Sequence, residues 1–199
     1  MAIIAINEVS QLKPNAEKIV VDISIHEANA AEVGFIPDCS QDIVLILGPL
    51  YHIQNIDERE AVIREAKRIL KADGIVAIAY ISRFFIAGLL AKISSSLVAV
   101  DVLNELYETG IVSTTDVDAF FRTGYFATPD EMETLAVSEG FKIIKHIATD
   151  GSVRYISDEI NQLTEQQYQA WLLHHFKTCA ESSLLGSSNH GLVIARKHK

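Results

Sequence analysis

Residues 41–47 (QDIVLIL) are an almost unbroken apolar run that stops at Gly48-Pro49. A parallel strand buried on both faces reads this way, with a turn at its carboxyl end. A helix follows, over about residues 57–71. Asp57 and Glu60 make a capping-box-like start, and Val62, Ile63, Ala66, Ile69 and Leu70 share one face. Gly74 is expected to stop this helix. Residues 75–81 (IVAIAYI) form a second buried strand, so the strand-helix-strand unit predicts a right-handed parallel crossover.

Helical spacing then dominates. Leu89, Leu90, Ile93, Leu97, Val100, Leu103 and Leu106 recur at that period, and Gly110 closes the run. Residues 116–122 suggest one more short helix, and the whole of 83–125 reads as a helical insertion above the sheet. Thr128-Pro129-Asp130-Glu131 is a helix start with a capping threonine, proline in the first turn and glutamate three after the cap. That helix ends at Gly140. A strand at 141–148 follows, then a capping box at Thr164 to Gln167 opening a helix with Tyr168, Trp171, Leu172, His175, Phe176 and Cys179 on one side. A last strand spans 191–196 (GLVIAR). At the front, residues 3–20 carry helical spacing broken by Pro14, and 20–25 suggest a short strand. Strands alternating with helices predict an open α/β sheet, whose ligands bind beyond the carboxyl ends of its strands.

Composition narrows the function classes. The chain has 199 residues, 49% hydrophobic and 22% charged, enough for a full core. Its formal net charge of -9, without a Lys/Arg cluster, argues against nucleic acid and against an anionic membrane surface. Arg83, Lys92 and the serines at 94–96 interrupt the most apolar stretch, so no membrane span is expected. The start has no basic region before an apolar run, and Cys39 and Cys179 have no partners at metal spacing. These features predict a cytoplasmic protein with reduced thiols and no metal. The adjacent His174 and His175 point apart on a helix, and His26 and His146 read as packed strand residues.

The ordered set of segments resembles the class I S-adenosylmethionine-dependent methyltransferases, of the type 11 kind. Residues 40–53 (SQDIVLILGPLYHI) are similar to the family's strand and "PLYHL"-like turn. Residues 70–75 (LKADGI) stand for its "VLKPGG" turn, with Ala for Pro and Asp for the first Gly. Thr128 to Glu131 and Glu139-Gly140-Phe141 resemble its "TPEEL…AGF" segment. The resemblance runs from about Asp22 to the end. It implies a Rossmann-like sheet of order 3-2-1-4-5-7-6 in one domain, with 83–125 as a cap over the rim. The family's opening turn, D-x-G-x-G-x-G, has no counterpart: the first of the ten glycines is Gly34. The chain therefore resembles a family member entered after its second strand. The strand at 41–47 would then offer an open edge, to be closed by the family's third strand, by residues 3–6 or by a second chain.

The resemblance also implies roles. Asn29-Ala30 matches the family's acid-alanine pair at the adenine amino group; an ordinary loop asparagine is the equal alternative. Gly48, Pro49 and Leu50 would line the donor site. Tyr51 would shape the acceptor pocket and His52 act as a base, or both simply cap the sheet. Arg83 would bind an acceptor carboxylate or pair with an acid of the cap. Tyr125 would wall the lid with Phe120 and Phe121, or the three are ordinary core aromatics at helical spacing. His190 would face the site if the last strand is antiparallel, beside Ser187, Ser188, Asp150 and Gly151. The expected function is methyl transfer from S-adenosylmethionine to a small molecule. Its rival is a non-catalytic relative working through self-association or a partner chain, with a homodimer covering the open edge.

Overall fold

The computed structural model describes residues 25–93, 95–113 and 123–198. The expectations at 3–20, 20–24 and 116–122 lie outside them, as do Phe120 and Phe121. In chain order the elements are β1 (Gln41–Ile46), a 3-10 turn (Pro49–His52), α1 (Ile56–Ile69), β2 (Leu70–Ile81), α2 (Arg83–Ile93), α3 (Val100–Thr109), β3 (Ile111–Ser113), β4 (Thr123–Tyr125), α4 (Pro129–Ser138), β5 (Phe141–Ala148), α5 (Ser157–Ile160), α6 (Glu165–Thr178) and β6 (His190–Lys197).

The sheet runs β1-β2-β6-β5. β1 and β2 are parallel, and β6 is antiparallel to both β2 and β5. Ile81 pairs with His190 and Ala148 with Gly191. The carboxyl ends of β1, β2 and β5 therefore share one rim with the start of β6. This is the order 4-5-7-6 expected of the family's second half.

Local chemistry explains the elements and corrects two boundaries. α1 starts at Ile56 because the Asn55 side chain caps it, accepting from the Asp57 amide. Gly74 does not stop the helix. The chain passes from Ile69 directly into β2, and Gly74 lies within that strand. Gln41 pairs with Leu70 and Ile43 with Ile75, so residues 71–74 bulge out between. Asp73 takes φ +62° there, a left-handed conformation that aspartate tolerates. The capping boxes of α4 (Thr128, Glu131) and α6 (Thr164, Gln167) form as expected.

One face of the sheet carries the main core. Val62, Ile63 and Ala66 of α1 and Met132, Leu135 and Ala136 of α4 pack over Ile46, Val76, Ile78, Tyr80 and Val193. Among the described residues β1 is an edge strand, and Ile43 and Leu45 on it and Leu47 just after it are 60%, 61% and 57% exposed. A second core forms where the expected insertion stands. Phe85, Ile86, Leu89 and Leu90 of α2 meet Leu106, Val112 and Phe126. The segment also holds the two-stranded ribbon β3-β4, which the helical reading missed. It leaves and returns at the end of β2, since Arg83 N–H donates to Ala127 O and Ala127 N–H to Ile81 O. α6 corrects another expectation: Tyr168 and Phe176 are exposed, and only Trp171, Leu172, His175 and Cys179 of its apolar side are half-buried.

Candidate functional site

The turn after β1 and the segment 29–31 close on one cavity of about 580 Å³, lined by Asn29, Ala30, Ala31, Pro49, His52, Ile53 and Glu58. Four residues singled out from sequence, Asn29, Ala30, Pro49 and His52, thus come together. Pro49 begins the 3-10 turn, its fixed φ suiting a first position. The turn sends Leu50 and His52 opposite ways. Leu50 fills the main core and its side chain does not line the cavity. Asn29 Oδ1 accepts from the Ala31 amide at 3.0 Å, an Asx turn that leaves one lone pair and the amide nitrogen for a ligand. Glu58 was not singled out. It sits in the first turn of α1, where the helix N-terminus tolerates an acid, and faces the same cavity. An acid within two turns of the Pro49-Leu50 segment was the available signal.

Gly48 has an extended backbone at φ 178°. A Cβ there would meet only the Tyr51 ring, at 3.5 Å from its hydroxyl, so local packing does not demand glycine. Tyr51 turns from the cavity toward the second core and donates to Leu47 O at 3.4 Å. Its ring lies 4.7 Å from that of His52.

Arg83 and Tyr125 are internal. The Arg83 side chain is 6% exposed. Its guanidinium donates to Phe126 O, to Tyr107 O, and to both oxygens of Glu131 at 2.8 and 2.7 Å. Of the two readings of Arg83, the ion pair is the one that forms, with the acid on α4 rather than on the cap. Tyr125 is buried over Arg59, whose Cζ sits 3.5 Å from the ring centroid, and its hydroxyl donates to Glu131. Burial, with the Glu131 charge beside it, raises the Tyr125 phenol.

A family model described as a methyltransferase domain matches residues 4–78, reaching from before Asp22 through most of β2. In solved structures, a SAM-dependent methyltransferase from Methanosarcina mazei is 17% identical with a TM-score of 0.55, over 86% of this chain and 65% of that one. A protein from Listeria monocytogenes assigned as an S-adenosylmethionine-dependent methyltransferase is 12% identical with a TM-score of 0.52, over 85% and 67%. The fold is that of the class I methyltransferases. The chain spans about two thirds of the length of these relatives, 65% of the first. No curated protein matches the sequence significantly.

On this methyltransferase sheet the rim continues past β2. His190 opens β6, antiparallel as its rim position required. The Asp150 carboxylate accepts from Ser188 Oγ, from the His190 amide at 3.0 Å, and lies 3.3 Å from His190 Nδ1. Burial pushes the Asp150 carboxyl up, but the hydrogen bonds from His190 and Ser188 outweigh it and hold the group below its usual value. Ser188 is buried and Ser187 exposed. No described helix is long and apolar enough to cross a membrane, and no metal-ligand cluster occurs among the described residues.

Proposed function

We propose that the chain binds S-adenosylmethionine in the cavity between Asn29 and His52 and transfers its methyl group to a small-molecule acceptor. The convergence of two separate segments on one cavity at the carboxyl end of β1 carries this reading. Its volume of about 580 Å³ falls within the ~300–1,000 Å³ usual for small-molecule pockets. S-adenosylmethionine supplies a methyl group on a cationic sulfur, open to attack by a nucleophile. Asn29 and Glu58 offer the polar contacts, for hydroxyl and amino groups. Ala30, Pro49 and Ile53 supply apolar walls, and Gly48 lets a ligand approach the backbone. His52 lines the cavity beside Pro49 and offers its ring to the ligand, and Tyr51 fixes the turn that carries it. Arg83 and Tyr125 serve the acceptor by holding the cap that excludes water. Alignment and exclusion of water are the main demands of such a transfer.

The reading extends to a cytoplasmic protein, in keeping with the two free cysteines, and to a second copy of the chain on the β1 edge, in keeping with the exposed Ile43, Leu45 and Leu47. Calorimetric titration with S-adenosylhomocysteine tests the central claim. Micromolar binding is expected, weakened about tenfold (~1.4 kcal/mol) by Glu58→Ala. A folded protein that takes up no ligand at millimolar concentration refutes it, and the rival reading of a non-catalytic relative then stands.

A further inference from the structure

We infer that His190, oriented by Asp150 and Ser188, is a general base for an acceptor with a phenol-type hydroxyl. The inference rests on the methyl-transfer reading above. His190 begins β6 and pairs with Ile81 at the end of β2, so it stands on the rim two strand spacings, roughly 10 Å, from the end of β1.

The frame around it joins a buried serine to a half-buried carboxylate. Ser188 is fully buried, its Oγ receives the Asp150 and Gly151 amides at 3.3 and 3.0 Å, and it donates to the Asp150 carboxylate. The carboxylate receives the His190 amide on Oδ1 and faces Nδ1 with Oδ2. An ionised carboxylate only accepts, so the proton of a neutral His190 ring belongs on Nδ1. The Asn189 amide group, 3.0 Å from Nδ1, fits this tautomer once turned so that its oxygen accepts. Nε2 is left with its lone pair, bonded by none of the described residues, on a side chain 42% exposed at the rim.

This arrangement selects the acceptor. A phenol, near pKa 10, is the most acidic of the common hydroxyl acceptors, so its proton is within reach of an imidazole nitrogen. An aliphatic alcohol lies much further off. The exposed ring of Phe84 lies against Gly186, on the segment that leads into β6, where a Cβ would stand 2.7 Å from it. In the step, the O–H bond breaks and its proton passes to Nε2. The oxygen's electron pair forms the bond to the methyl carbon, and the pair of the broken C–S bond stays on sulfur.

The test uses the full chain with 4-nitrophenol as probe, at a pH below the probe's own pKa. The wild-type protein should raise the phenolate absorbance saturably. His190→Gln, which keeps the backbone bond to Asp150, should return it to the level of free probe, and Asp150→Asn should cut it several-fold. Nitrogen NMR of the histidine rings should find His190 protonated at Nδ1, and Asp150→Asn should shift the proton toward Nε2, a change that a purely structural Asp150 would not produce. No phenolate rise in the wild type, a rise indifferent to His190→Gln, or a ring protonated at Nε2 alone overturns the inference. Titration of the same samples with S-adenosylhomocysteine separates the two claims. Ligand binding without the phenolate effect removes only the base, whereas the phenolate effect without ligand binding removes the methyltransferase reading.

Discussion

Replacing Glu131 with glutamine removes the charge and turns Oε1, which accepts from Arg83 at 2.8 Å, into an amide donor. The amide oxygen of the new side chain can still cap the Thr128 N–H, which Glu131 accepts at 2.8 Å, and can still meet the Tyr125 hydroxyl. What disappears is the charged partner of Arg83, whose side chain is buried while Glu131 is 40% exposed. Two unit charges at about 2.8 Å attract by about 6 kcal/mol at an effective dielectric near 20. Desolvation of both groups offsets part of this, and the exposure of Glu131 screens more. Removing one partner of a buried pair generally costs ~3–5 kcal/mol. With the carbonyls of Phe126 and Tyr107 still receiving the guanidinium, we expect a loss of about 2–4 kcal/mol. In a chain of this size that lowers the melting temperature by roughly 5–15 °C. Arg83→Met should cost less, because it leaves the charge on the partly hydrated partner. The double variant should recover much of the loss, since an apolar replacement of a buried pair is often close to neutral. Urea unfolding of the four proteins measures the cycle. A Glu131→Gln protein within about 0.5 kcal/mol of wild type, or an Arg83→Met protein less stable than it, would refute the reasoning.

Two more expectations follow from the same packing. In Gly191→Ala the new Cβ would meet the Tyr80 ring well inside contact distance, so the ring must leave its place, and a loss of ~1–3 kcal/mol in urea titration is expected; an unchanged midpoint would contradict the contact. Asp150 is held below its ordinary value of 3.8, so its bonds to Ser188 and His190 stabilise the fold above that pH and lose this contribution as the pH falls through the lower folded value. Asp150→Asn should therefore be less stable than wild type near neutrality and less sensitive to acid below about pH 4; parallel acid-unfolding curves would rule this out.

The strands were readable because the first apolar run ends at Gly48-Pro49 and the later ones begin at or just after Gly74, Gly140 and Gly191. The capping boxes at Thr128 and Thr164 marked two helix starts directly. Sequence reasoning lost accuracy where tertiary pairing decides. Gly74 looked like a helix stop, but pairing of Ile43 with Ile75 draws it into β2 behind a bulge. The three-residue strands β3 and β4 are too short to show a period. His146 read as ordinary packing; it instead joins Tyr80 at 2.8 Å and Glu133 at 2.8 Å, across a strand whose Gly191 makes room. Burial, with Glu133 and Asp130 nearby, raises the Tyr80 phenol. At the rim, Asn29, Ala30, Pro49 and His52, named from the resemblance, line one cavity. The inward turn of Arg83 was not legible, because its partner lies 48 positions away on α4.

The cap is fastened at both feet. Its first residue, Arg83, bonds the strand that returns from it, and Tyr155 ties α2 to the segment after β5 by donating to Phe85 O at 3.0 Å. A segment anchored in this way cannot swing off the end of β2 without breaking the Glu131 pair and leaving the buried guanidinium of Arg83 with neither its carboxylate nor its two carbonyls.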